Sequence, residues 1–389
     1  MQITATLTPQ VARPLSTQTW GRGLGRPPKD LADVLARLAI GSPATCALRS
    51  LARAAGSERD RVGDADLRAG AARIAWGFRS LFNTPEVMGM LRGRPKEQDA
   101  YWQRALDYCL EGCLQAVLDE YFHVLADSLG ILERSVQKIV PQLSDAVYDA
   151  LTIRATNYRA DDIRIGAEGV TTSPPRNLRA RYALRYGTQN VEESGQVQRS
   201  SQVRGAFNSP FWPFVLVTTS VGQEGLDFHL YCHAVVHWNL PANPVDLEQR
   251  DGRVHRYKGH AIRKNVAARN GRAALMGRNM LGDPWEKLFA SASRRRPTRL
   301  GDIEPFWVYE GPATIDRYVP ALPPSREVEK LKDLKRSLAV YRMVFGQPRQ
   351  DDLVAYLAGM PEERREEPGQ VLKIDLSPRR RRRRTLGGV

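Results

Sequence analysis

Residues 214–228, "FVLVTTSVGQEGLDF", and residues 247–260, "LEQRDGRVHRYKGH", decide how this chain is read. The first opens as an apolar, β-branched run and ends in a loop where Gly222 and Gly225 stand beside the carboxylates Glu224 and Asp227. An apolar run of this kind predicts a central parallel strand covered on both faces. Ligands in open α/β sheets sit beyond the carboxyl ends of the strands, so the pattern puts this loop where a ligand binds.

Between the two segments, "HAVVHWNL" (233–240) predicts a second parallel strand, followed by Asn243, Pro244 and Asp246. Asparagine caps free helix amides, proline fits the first turn, and an early carboxylate favours the positive end of the helix dipole. A helix running on from there places Gln249, Arg253 and Arg256, four and three residues apart, on one face. Gly252 inside it costs about 1 kcal/mol relative to alanine and predicts close approach of another backbone or a ligand. Two arginines projected from a rigid helix can neutralise charge on a transferring phosphoryl group. Without further context, a solvated basic helix is the competing reading.

The pair "TTSVGQEGLDF" and "QRDGRVHR", separated by a strand and a helix cap, resembles the last two motifs of the second RecA-like lobe of superfamily 2 helicases, in the remodelling ATPase branch. The wider stretch from residue 207 to 265, with the later "YRMVFGQPRQ", is similar to a group of large bacterial helicase-related proteins. The resemblance implies an α/β RecA-like C-terminal lobe, a parallel sheet between helices. It also implies roles by position. Gly222, Glu224, Gly225 and Asp227 match the loop that couples nucleotide to nucleic acid, with Thr219 and Ser220 among the nucleic-acid contacts. Gln249 opens the last motif, Arg253 and Arg256 take its arginine-finger positions, and Arg250 is a structural or interlobe contact. The basic stretch that follows, including Arg263 and Lys264, is a candidate for contact with the phosphate backbone.

The same resemblance implies a first lobe with a phosphate loop and an acidic, magnesium-holding box. Neither "GxxxxGK[ST]" nor a "DExH"-like box occurs in these residues. "GRGLGRPPK" (21–29) has the wrong glycine spacing, and Pro27 and Pro28 remove amide donors where a phosphate loop needs them. The implied function is the C-terminal motor lobe of an ATP-dependent helicase or translocase that uses ATP and Mg²⁺ only with a separate first lobe and hydrolyses little ATP alone. DNA is favoured over RNA as the partner. The alternative is a non-catalytic nucleic-acid-binding or assembly module, a truncated helicase remnant.

Around this lobe the chain organises simply. Residues 1–27 read as a flexible leader, and residues 28–145 as mainly helical, with Ser42-Pro43 a cap and first-turn pair. The lobe covers 146–281, with "VYDALTIR" (147–154) a weak strand and "RYALRYG" (181–187) a better one. Residues 282–358 form a helical extension and 359–389 a disordered basic tail with arginines at 379–384. A net charge of +15 and pI near 9.9 suit a polyanionic partner, and 42% hydrophobic residues exclude a wholly disordered chain. Four cysteines give no disulfide framework; Cys109 and Cys113, four apart, read as buried thiols on one helix face. His229, Cys232, His233 and His237 form a row without a closing cluster, so they read as core or polar-network groups rather than zinc ligands. The lack of a signal peptide or a window of transmembrane length predicts a soluble cytoplasmic protein with no membrane partner.

Overall fold

The computed structural model describes residues 27–56, 64–93, 100–131, 136–153, 156–166, 169–180, 202–217, 230–275, 282–295, 303–320, 325–344 and 359–361. The chain divides into two units, Met1–Tyr231 with Tyr257–Ala313, and Cys232–Arg256 with Thr314–Val389.

Helices open the first unit: α1 (Leu31–Gly41), α2 (Pro43–Ala54), α3 (Ala65–Phe82), α4 (Pro85–Arg92), α5 (Tyr101–Glu111), α6 (Leu114–Ser128) and α7 (Val136–Leu151). Their starts follow local chemistry. Ser42 Oγ accepts from the Thr45 amide at 3.4 Å with Pro43 in the first turn, and the Asp64 carboxylate accepts from the amides of Asp66 and Leu67. Such side chains satisfy donors that no helical carbonyl can reach. In α3, Leu67, Gly70, Ala71, Ile74, Gly77 and Phe78 recur at helical spacing and face inward. A Cβ on Gly70 would lie 2.7 Å from Val140 Cγ1 and one on Gly77 2.9 Å from Leu151 Cδ1, so these glycines let α3 and α7 meet closely. Leu51, Ile74, Leu118, Phe122, Leu143 and Val147 are buried in one core, each contributing about 1.5–3 kcal/mol.

Several expectations change here. The apolar run Leu31–Ala54 is long and apolar enough to cross a membrane by length and composition, which the sequence reading missed. It is split at Ser42 into α1 and α2, and Cys46, Ala47 and Leu51 of α2 belong to the core. Residues 147–151, expected as a strand, complete α7, because Val147 and Leu151 continue the inner stripe of Val140, Leu143 and Ser144. Cys109 is buried as expected, but Cys113 is exposed. It sits at φ 49° between α5 and α6, and this left-handed residue ends the common face that the four-residue spacing suggested.

Beyond α7, β1 (Thr156–Gly166) and β2 (Gly169–Ala180) form an antiparallel ribbon where the first part of a parallel layer was expected. Residues 213–217 form no strand. Phe214, Val215 and Val217 are 66%, 77% and 91% exposed, against the burial expected of a central strand. Apolar sequence gives a buried strand only when neighbours pair along both edges, and among the described residues none pairs with this run. The first unit closes with α8 (His260–Leu275) and α9 (Pro284–Arg294), joined through a second core of Ile262, Val266, Leu288, Phe289 and Tyr309.

In the second unit, β3 (Ala234–Val236) pairs in parallel with β4 (Asp316–Tyr318), and the unit includes helices α10 (Pro244–Gly252) and α11 (Glu327–Val344). Leu240, Leu247 and Leu334 form its core with Leu331 and Val319. Glu327 accepts from the Leu240 amide at 3.0 Å, while Lys330 Nζ donates to the Leu240 carbonyl at 2.6 Å, so α11 clamps both polar groups of that residue. The architecture of the described residues is helix-rich with a small parallel sheet. The strand expected over 233–240 is limited to three residues.

Candidate functional site

The segment after β3 is built from its cap. Asn243 Oδ1 accepts from the Val245 amide at 2.9 Å, Pro244 occupies the first turn, and Asp246 stands where its charge favours the helix dipole, all as the sequence predicts. The helix stops at Gly252, earlier than predicted. Arg253 is its C-cap, donating its amide to the carbonyls of Gln249 and Arg250, and the amides of Val254 and His255 both return to the Asp251 carbonyl. Gln249, Arg253 and Arg256 therefore do not share one helical face. Gln249 is exposed on the helix, Arg253 ends it, and Arg256 lies in the turn beyond. A Cβ on Gly252 would meet nothing within 4 Å, so close approach of another part of the chain is not the reason for this glycine.

Asp251 fixes the segment. It is buried, accepts from His237 Nε2 at 3.1 Å, and pairs with Arg317. Burial pushes its carboxyl up, but the hydrogen bonds from His237 and Arg317 outweigh burial and hold it below the usual carboxylate range. His237, 2% exposed, is thus a polar-network histidine. Arg250 donates Nη1 to the Asn239 carbonyl at 2.8 Å, a structural contact. Arg253 and Arg256 differ from it. Both are half-buried, and neither guanidinium has a carboxylate or hydrogen-bond partner among the described residues. Arg256 Nε is buried and unpaired, a position that costs about 1–3 kcal/mol until an acceptor reaches it.

The next cations, in the first unit, are fully engaged. Lys258, buried at φ 47°, donates Nζ to His123 Nε2 at 3.0 Å and pairs with Asp127, and its amide donates to the Phe306 carbonyl at 2.7 Å. An ammonium has donors only, so His123 Nε2 accepts and the ring proton sits on Nδ1, facing Asp283 Oδ2 at 2.6 Å. Burial raises the Asp283 carboxyl, and the His123 hydrogen bond reverses that to leave it low. Arg263, expected to touch a phosphate backbone, is 0% exposed. Its Nε donates to Glu120 at 2.6 Å, Nη1 to the Lys258 carbonyl and Nη2 to the Leu230 carbonyl, and its guanidinium lies over the Tyr231 ring. With each of its three nitrogens engaged and no open face, Arg263 acts as a strut in this structure. Lys264 remains exposed on α8. Lys258, Asp127 and Asp149 also line a cavity of about 560 Å³. Arg204 lines it as well, so two cations face two carboxylates and the lining carries no net positive charge to favour a phosphate.

Thr219, Ser220, Gly222, Glu224, Gly225 and Asp227 lie outside the described residues, as do the strand expected over 181–187 and the arginines at 379–384. Sequence reasoning missed the roles of Asp251, His123, Lys258 and Arg317. Asp251 was within reach, since it lies in the quoted motif, but its partners are 14 and 66 positions away.

Against known proteins, residues 181–258 match the helicase conserved C-terminal domain family, so the chain contains a helicase C-terminal lobe. The matched range contains both quoted motifs through Lys258. The chain is also similar to a Bacillus subtilis (strain 168) protein described as an uncharacterized ATP-dependent helicase, YqhH. Identity is 45% over 42 residues, which cover 11% of this chain and 7% of the relative. No solved structure matches the chain significantly.

Proposed function

We propose that this chain supplies the C-terminal motor lobe of an ATP-dependent nucleic-acid helicase or translocase. In this reading it completes an ATP site when a first lobe brings the phosphate loop and the magnesium-binding box. The observation that carries the reading is the state of Arg253 and Arg256. Both follow a helix end pinned by Asp251, and neither has a partner for its charge among the described residues. Guanidiniums held on a fixed backbone and left unmatched suit charge that develops on a transferring phosphoryl group, where no reorganisation is needed during reaction. The fuller RecA-like architecture, a parallel sheet between helices with the 219–227 loop at its edge, belongs to the same proposal.

Mg²⁺ and the nucleotide would be held chiefly by the first lobe, and residues 249–256 would approach the phosphates from the other side. The test is turnover with and without that lobe. The chain alone should release no phosphate from ATP above background, with or without DNA. Adding a helicase first lobe, in trans or by fusion, should produce nucleic-acid-stimulated hydrolysis. Turnover by the chain alone that co-purifies through several columns would contradict the proposal, and so would an assembled two-lobe complex that stays inactive.

A further inference from the structure

The outer face of α3 carries a pattern that the motor-lobe reading does not use. Ala65, Arg68, Ala69, Ala72, Arg73, Trp76, Arg79, Ser80 and the following Asn83 are all exposed. At 3.6 residues per turn they fall within a wedge of about 140° to which α3 itself contributes no carboxylate, with exposed Asp66 just beyond its edge and Asp145 and Asp149 of α7 beside Arg73. Trp76 is 45% exposed, and the Arg79 guanidinium lies 4.5 Å from its ring centroid. Arg73 is anchored, with Nε on Asp145 at 2.6 Å and its guanidinium over Tyr148. Arg68 and Arg79 have no carboxylate partner among the described residues. Between the arginines the small side chains of Ala69, Ala72 and Ser80 leave the helix surface low around the indole.

An apolar docking face would not be bordered by cations that lack a carboxylate partner, as Arg68 and Arg79 do among the described residues. We propose that this face of α3 binds single-stranded nucleic acid, with a base stacking on Trp76 and phosphates meeting Arg68 and Arg79. Stacking on an indole tolerates any base because every base has a π-face, and cations flanking the ring give the salt-dependent part of the affinity. The Arg79–Trp76 pair orients both groups before binding. This site is independent of the proposed ATP site, and either can fail without the other.

The test uses the intact chain and fluorescence anisotropy with a labelled oligothymidine of about 12 nucleotides, within the site sizes usual for such surfaces. Trp76→Ala should weaken binding by about tenfold, while Trp76→Phe, which keeps a stacking ring, should retain most of the affinity. The Arg68→Ala, Arg79→Ala double variant should lower the slope of log affinity against log salt by about 1.4. A matched duplex should bind more weakly than the single strand. Four results would each overturn the proposal: no binding by the intact chain, as a protein-docking face predicts; unchanged affinity in folded Trp76→Ala; a salt slope unmoved in the double variant; or equal affinity for duplex.

Discussion

From Arg253 to Arg263 the chain carries two pairs of cations with opposite fates. Lys258 and Arg263 are buried, and each of their charges meets a carboxylate as well as further polar or aromatic groups. Arg253 and Arg256 are half-buried and matched by nothing among the described residues. Burying a charge is tolerated only when partners replace its water. The first pair therefore belongs to the fold, and the second is the pair we propose for a ligand. A basic motif is thus not uniform, and the partner inventory of each side chain separates the cations engaged within the fold from those left without a carboxylate among the described residues.

The largest effect should come from breaking the satisfied pair. Arg263→Ala removes the partner of Glu120 and two carbonyls at once, and should destabilise the first unit by about 3–5 kcal/mol, read from the urea midpoint. Arg263→Lys should recover little, since an ammonium cannot span three divergent acceptors as a guanidinium does. Arg253→Ala should leave the midpoint nearly unchanged, and Arg256→Ala should leave it unchanged or raise it, because it removes a buried donor that has no acceptor. A loss in either comparable to that of Arg263→Ala would erase the distinction.

A smaller effect should separate two glycines in the same way. A Cβ on Gly311 would lie 2.4 Å from Asn265 Oδ1, and Asn265 itself holds the carbonyls of Tyr309 and Ala313 and the amide of Ala313. Gly311→Ala should cost about 1–3 kcal/mol in thermal or urea unfolding. An unaffected variant would show that the Asn265 clasp yields freely.

Acid titration sharpens the role of the fixed carboxylates. Asp283 and Asp251 both have folded-state values below the usual range, so each contributes stability that is present above the unfolded value near 3.9 and lost as pH falls through the folded value. Asp283→Asn and Asp251→Asn should each be less stable than wild type at neutral pH, with the gap narrowing below about pH 4. A gap that stays constant to pH 2.5 would assign the loss to shape rather than charge. The smallest effect, and of opposite sign, belongs to Gly252→Ala. With open space around it, the substitution should stabilise the isolated chain by up to about 1 kcal/mol, and a clear loss in the same urea titration would contradict that geometry.

What was legible in the sequence was local. The caps at Ser42-Pro43 and Asn243-Pro244 depend on neighbours within a turn, and the structure places them as read. The helicase lobe was legible for a related reason, since its two motifs are short, ordered and close together. What failed depended on distant partners. Arg263 is buried because Glu120 waits 143 positions upstream, and no local pattern announces that. Residues 213–217 have the composition of a central strand, but pairing is a property of other segments. The early stop of α10 at Gly252 was missed because the four-then-three spacing of Gln249, Arg253 and Arg256 fits a helix without requiring one.

On the proposed function, Arg253 and Arg256 are held in reserve for a phosphoryl group. The most direct measurement is kcat for ATP, beside equilibrium affinity for nucleic acid, in a complex of this chain with a helicase first lobe. Arg253→Ala and Arg256→Ala should each lower kcat by about 10³-fold or more while nucleic-acid affinity changes little, because a finger acts on charge that exists only in the transition state. Full turnover in both variants, with assembly intact, would contradict the account and leave these arginines as a family pattern without a catalytic role.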